Sequence, residues 1–191
     1  FNRNLKSHEI IAQVLIAQNH LKKKDKRVSN VVFMGMGEPL LNESAVYDAC
    51  ELLLDDWAFG LSRRKVTISS SGIVPALYRM ADTTPVSLAI SLHAPIDELR
   101  DVLVPINQKY PIKELMKACR YYLNAGTQER HIFFEYVMLD GVNDLPEHAK
   151  SLARLLKGIS AKVNLIPFNP FPKTQYQTSK EVTINQFQNI L

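Results

Sequence analysis

Cysteine is scarce in this chain, with Cys50 and Cys119 the only two among 191 residues. Neither has a second thiol or a histidine at ligand spacing, so there is no zinc motif and no disulfide framework. No apolar run approaches the roughly 20 residues that cross a bilayer, which leaves no candidate for a spanning helix. No secretory leader is recognisable, and because the first residue is Phe1 rather than methionine, the natural start is expected upstream. Proline-, glycine- or serine-rich linkers and low-complexity tracts are missing too, so a single domain over 1–191 is expected. Gly-x-Ser-x-Gly is absent, which excludes a nucleophile elbow. The dinucleotide fingerprint and the P-loop are absent as well.

What remains is the composition of an ordinary globular protein, 46% hydrophobic and 22% charged. The formal net charge is +4 and the pI about 9.0, a balance that permits an anionic partner such as RNA. The densest charge run, Lys22 to Arg27, reads as a solvated turn between a helix and a strand. Cys50 falls in step with Val46, Leu53 and Leu54, and Cys119 with Leu115, Tyr122 and Leu123. Both read as small core residues of a protein kept in a reducing cytoplasm.

Hydrophobic periodicity alternates along the chain. A helix is expected over 7–20 with Ser7 as its cap, then a strand at 30–34. A helix follows over 43–55 capped by Asn42, then a strand at 65–69 and a helix near 73–81 with Pro75 in its first turn. Next come a strand at 86–92, helices at 96–102 and 112–124 with Gly126 as a stop, and a strand at 131–138. A helix at 146–157, a strand at 162–167 and a helical start at 183–191 complete the order. Short apolar strands alternating with helices predict an α/β fold with a parallel sheet covered on both faces, either a barrel or doubly wound.

Each predicted strand is apolar until its C-terminal end and there delivers polar residues. The clusters are Gly37-Glu38, Ser69 to Ser71, Ser91 with His93, Asp140 to Asp144, and Asn169. Parallel α/β folds build their sites at that edge, so a ligand site is expected where these clusters converge. Serine and asparagine also serve as turn formers and caps, and any one cluster alone has that reading. Gly35 and Gly37 allow close backbone approach or positive φ, and Glu38 would accept from an ammonium or hydroxyl. Chemistry alone stops at a ligand-binding α/β protein with its site on the C-terminal strand edge.

The strings go further. FMGMGEPLLN (33–42), VTISSSG (66–72), LAISLHAP (88–95), VPIN (104–107), EYVMLDGVND (135–144) and KVNLIPFNPFP (162–172) occur in this order. Together they resemble the radical S-adenosylmethionine enzymes that methylate C2 of an adenine in 23S ribosomal RNA, and in some bacteria in transfer RNA. The resemblance runs over nearly the whole chain. It implies a partial (β/α)6 barrel of the TIM-like type, truncated here at both ends, and S-adenosylmethionine with a [4Fe–4S] cluster as cofactors. Gly37 and Glu38 match the motif that receives the methionine amino group. Ser69, Ser91, Leu92, His93 and Asn169 match positions that contact the rest of that cofactor, with Ser71 as a neighbour in the same role.

The resemblance further implies ribosomal and transfer RNA partners, an electron donor such as flavodoxin, a cytoplasmic location, no membrane, and a monomer at full length. The family's Cys-x3-Cys-x2-Cys loop would precede Phe1 and its methyl-carrying cysteine would follow Leu191. Cys50 and Cys119 match neither, so these 191 residues alone are expected neither to hold the cluster nor to catalyse. Two rival readings stay open: the sister branch that methylates adenine C8, and a cluster-free barrel that binds RNA without catalysis. A phosphosugar barrel is disfavoured, because Asn169-Pro170-Phe171-Pro172 lacks the flexible amides of a phosphate loop.

Overall fold

The alternating pattern resolves, in a computed structural model describing residues 2–125 and 130–191, into one parallel sheet of five strands in sequential order. The strands are β1 (Val31–Phe33), β2 (Val66–Ser70), β3 (Ser87–Ser91), β4 (Ile132–Met138) and β5 (Ala161–Pro167). Helices α1 (Ser7–Lys22), α2 (Glu43–Leu54), α3 (Val74–Thr83), α4 (Asp97–Leu103), α5 (Ile112–Asn124), α6 (Pro146–Leu156) and α7 (Glu181–Ile190) precede, connect and follow them. Among the described residues no helix is long and apolar enough to cross a membrane.

Side chains alternate across a strand, so the sheet has two chemically distinct faces. Val66 and Ile68, Leu88 and Ile90, and Ile132, Phe134, Tyr136 and Met138 join one apolar cluster with the helices. The residues between them, Thr67 and Ser69, Ser87, Ala89 and Ser91, and Phe133, Glu135 and Val137, lie on the opposite face. Register places them side by side, with Ser69 opposite Ala89 and Ser91 opposite Glu135, which in turn sits opposite Asn164. One face is therefore apolar core, and the other is a mixed polar face on which Ser69, Ala89 and Glu135 are also buried. Sequential strand order with helices on one side is the arrangement of a barrel wall, in keeping with the partial barrel expected.

Complete coverage fails at the two edge strands. Val32 in β1 is 50% exposed, and β5 has no fully buried residue. Local details differ as well. Ser7 lies inside α1, whose cap is Lys6, and Glu9 reaches back to accept from the Lys6 amide at 2.8 Å. Asn42 does sit at the cap of α2, but its side chain donates to Leu5 O at 2.8 Å and ties α2 to the approach of α1 instead. The predicted stop at Gly126 lies outside the described residues. The Lys22–Arg27 run is an exposed turn, as its composition implied.

Candidate functional site

All five strands point their C-terminal ends the same way, so the predicted clusters share one rim. At the end of β1, Gly35 and Gly37 adopt φ of +124° and +96°, conformations that side chains resist. They turn the chain so that Glu38 swings back over the neighbouring strand. Its Oε1 accepts from Leu40 N at 3.1 Å and opens a short 3-10 turn at Pro39–Leu41. Its Oε2 accepts from both Ser71 N and Ser71 Oγ at 2.7 Å. Glu38 is thus a fixed carboxylate rather than a free one, with three of its roughly four acceptor sites in use.

At the end of β2, Ser69 faces the polar side of the sheet and is 6% exposed. Ser70 Oγ accepts from Gly72 N at 3.0 Å. Beyond β3, Leu92 contributes differently from its neighbours. Its side chain is wholly buried in the apolar cluster, so the rim receives only its backbone. His93 follows in the left-handed region at φ +59°. Its Nδ1 accepts from Val137 N at 3.1 Å, which leaves the ring proton on Nε2. Burial, reinforced by the Arg100 cation, pushes the His93 pKa down to about 4, so near neutrality the ring is an uncharged donor.

The β4 cluster does something other than expected. Asn143 Oδ1 accepts from Leu139 N at 2.8 Å, and Asp144 Oδ1 from Gly141 N at 3.0 Å. These groups build their own turn, the ordinary reading of such residues, and Asn143 Nδ2 additionally donates to His93 O at 2.8 Å. Asn169 stands exposed beyond β5, in a segment where Phe168 packs edge-on against Phe171 and Tyr176. Among the described residues no hydrogen bond joins it to the other predicted site residues. A cleft of about 650 Å³ runs between α1 and the unpaired edge of β1, from Val14 and Val31 up to Met36 and Glu38.

Sequence reading gave no role to several buried polar residues beneath this rim. Arg100 in α4 is 0% exposed, as is Asn107, and Glu135 is 8% exposed and accepts from Asn164 Nδ2 at 2.8 Å. A charged residue inside the apolar run HIFFEYVM was the available signal for Glu135. Arg100 gave none, because DELRDVL reads as a solvated turn of helix. The two thiols are core residues as predicted, both raised to about 12 by burial, and among the described residues no metal-ligating cluster occurs.

The radical SAM superfamily model matches residues 3–156. The chain belongs to the radical SAM superfamily. Its resemblance to known members extends beyond the matched core. The dual-specificity RNA methyltransferase RlmN of Ruthia magnifica subsp. Calyptogena magnifica is 73% identical over 191 residues, and that of Marinobacter nauticus is 52% identical over 194. Each comparison takes in 100% of this chain but only 54% and 53% of the relative, so the chain spans about half the length of the curated relatives it matches. The crystal structure of a radical SAM methyltransferase from Sphaerobacter thermophilus superposes with a TM-score of 0.94 at 42% identity, over 100% of this chain and 56% of that one. A domain of pyruvate-formate lyase-activating enzyme from Bacteroides vulgatus shares the fold at 18% identity, with a TM-score of 0.60 over 85% of this chain and 92% of that domain.

Proposed function

We propose that the full-length protein methylates C2 of an adenine in 23S ribosomal RNA by radical S-adenosylmethionine chemistry, with transfer RNA as a second substrate. These 191 residues supply the nucleoside-binding wall. The observation that carries this reading is the fixed Glu38 carboxylate, held by Ser71 beside a glycine turn at the mouth of a polar sheet face. An amino-acid ammonium needs such an acceptor, already oriented and with capacity for one more donor. Gly37 and Glu38 take the methionine amino group. Ser69, Ser91, the Leu92 backbone and the neutral Nε2–H of His93 then contact the remainder of the cofactor, with Asn169 closing from β5.

The residues present fit S-adenosylmethionine and do not fit an iron–sulfur cluster. Cys50 and Cys119 are buried in the apolar core on separate helices, and the chain has no third cysteine to complete a cluster's ligand set. Ligands for a [4Fe–4S] cluster would have to come from outside this stretch. When bound, such a cluster and S-adenosylmethionine supply one-electron chemistry that opens an unreactive C–H bond. The contribution of this chain is to bind and orient the cofactor, with Glu38 at the methionine end and His93 as an uncharged donor.

The wider expectations follow the same reading: a cytoplasmic monomer served by a small electron donor such as flavodoxin. The relatives named dual-specificity RNA methyltransferases support the RNA substrate class. The deciding experiment is anaerobic turnover of the full-length, cluster-reconstituted protein with a ribosomal RNA fragment and S-adenosylmethionine, with the nucleosides resolved by mass spectrometry. Recovery of 2-methyladenosine is expected. Recovery of 8-methyladenosine would assign the sister branch, and RNA binding without any methylation would leave the non-catalytic barrel.

A further inference from the structure

Arg100 makes four hydrogen bonds, none of them to a carboxylate. Nε donates to Leu92 O at 3.1 Å. Nη2 donates to Ser71 O at 2.7 Å and Ser91 O at 3.1 Å, and Nη1 to Asn107 Oδ1 at 2.8 Å. Three of the four acceptors are main-chain carbonyls at the ends of β2 and β3, the two strands that deliver Ser69, Ser71, Ser91 and His93. A rigid fork of donors reaching several acceptors at once fixes their spacing in a way that a flexible ammonium does not.

Behind the fork, Asn107 is the adaptor. Its Nδ2 donates to Asp97 Oδ1 at 2.8 Å and Asp101 Oδ1 at 2.7 Å, and Asp97 Oδ1 also accepts from Ile112 N at 2.8 Å. The guanidinium is therefore held from α4 and from the first turn of α5. In front, the chain of bonds continues through the Ser71 peptide to Glu38, because Ser71 N and Oγ both donate to that carboxylate. Gly72 leaves room for the arrangement: a Cβ there would lie 3.4 Å from Arg100 Nη2 and 3.2 Å from Leu115 Cδ1.

We infer that Arg100, seated against Asn107, is a positioning residue for cofactor binding: it sets the distance between the β2 and β3 ends and so orients Glu38, Ser69 and His93 without itself touching the ligand. This inference rests on the S-adenosylmethionine reading above and gives the VPIN string a purpose. A fully buried cation is costly to keep, and its retention here follows from the carbonyls it gathers.

The test uses the full-length protein, S-adenosylhomocysteine as the probe by titration calorimetry, and amide hydrogen exchange without ligand. Arg100→Lys is expected to weaken binding at least tenfold and to speed exchange at Ser71, Leu92 and His93. Tyr122→Phe is the control, since the buried hydroxyl donates to Val86 O at the opposite end of the sheet, and its removal costs stability remote from the rim. It is expected to leave probe affinity and rim exchange unchanged. Wild-type affinity in folded Arg100→Lys would overturn the inference, as would an equal loss in Tyr122→Phe. Should Arg100→Lys not fold, Asn107→Ser keeps the cation and removes the side chain it is seated against, and a severalfold loss is expected, with unchanged affinity overturning the inference. Failure of the wild-type protein to bind the probe at all would overturn the cofactor reading itself, and this one with it, before any substitution is made.

Discussion

At the ends of β2, β3 and β4 the chain is pinned from below by buried polar side chains, whereas at the ends of β1 and β5 the last residues stand in solvent. Arg100 and Asn143 are 0% exposed, while Met36 is 95% and Phe171 62% exposed. The centre of the rim is thus shaped before any ligand arrives. A preformed centre lowers the ordering cost of binding. Glu38 is the joint between the two regimes: it belongs to a flank by sequence but is fastened to the centre through Ser71.

That contrast can be broken most forcefully at Asn143. Its side chain accepts from Leu139 N and donates to His93 O and Val137 O, so Asn143→Ala strands one buried and two partly buried backbone groups. A loss of about 3 kcal/mol is expected in denaturant titrations. A loss below about 1 kcal/mol would mean that the β4 turn is held by other contacts.

The next effect is one of pH. His93 stays neutral in the folded chain down to about 4, against an ordinary value of 6.5. Between those values the unfolded chain binds the extra proton, so the contribution of His93 is complete above pH 6.5 and is lost as the pH falls towards 4. The wild-type protein is expected to lose roughly 2 kcal/mol more than His93→Asn across this window, asparagine being chosen because it tolerates the left-handed backbone. Parallel stability curves for the two proteins from pH 7 to 4.5 would show that His93 does not titrate as its burial dictates.

Glu38→Gln tests binding and stability together. The amide oxygen can still accept from Ser71 N and Oγ, but the NH2 then faces Leu40 N and cannot accept from it, so the charge and one hydrogen bond go together: probe affinity is expected to fall about tenfold and stability by about 1 kcal/mol. Calorimetry and a thermal melt on the same sample decide it, and unchanged affinity would remove Glu38 from the site. The smallest effect is expected on the flank proper: Met36→Ala should alter stability by less than about 0.5 kcal/mol. A larger destabilisation would show that the glycine turn is packed rather than open.

The pattern of apolar residues made much of this architecture legible. The helix expected over 112–124 is Ile112–Asn124, because its apolar stripe runs uninterrupted against the sheet. The strand expected at 30–34 shrinks to Val31–Phe33, since an edge strand is defined by a single neighbour and ends where pairing ends. Strand-end clusters placed Glu38, Ser69, Ser91 and His93 on one rim, but the same rule took Asn143 and Asp144 for ligand groups when they build a turn. Arg100 was hidden for a different reason. Whether a helical arginine points to water or into the sheet depends on packing between elements far apart in the chain, which no local pattern encodes.

Because Arg100 gathers carbonyl oxygens rather than side chains, the geometry it imposes does not depend on which amino acids occupy positions 71, 91 and 92. Of the three, only the side chain at 91 is free of the scaffold, since Leu92 fills the core and the Ser71 hydroxyl holds Glu38. Selection acting on position 91 therefore answers to the molecule being bound, which makes that point of the rim one where specificity can be rewritten without first rebuilding the fold.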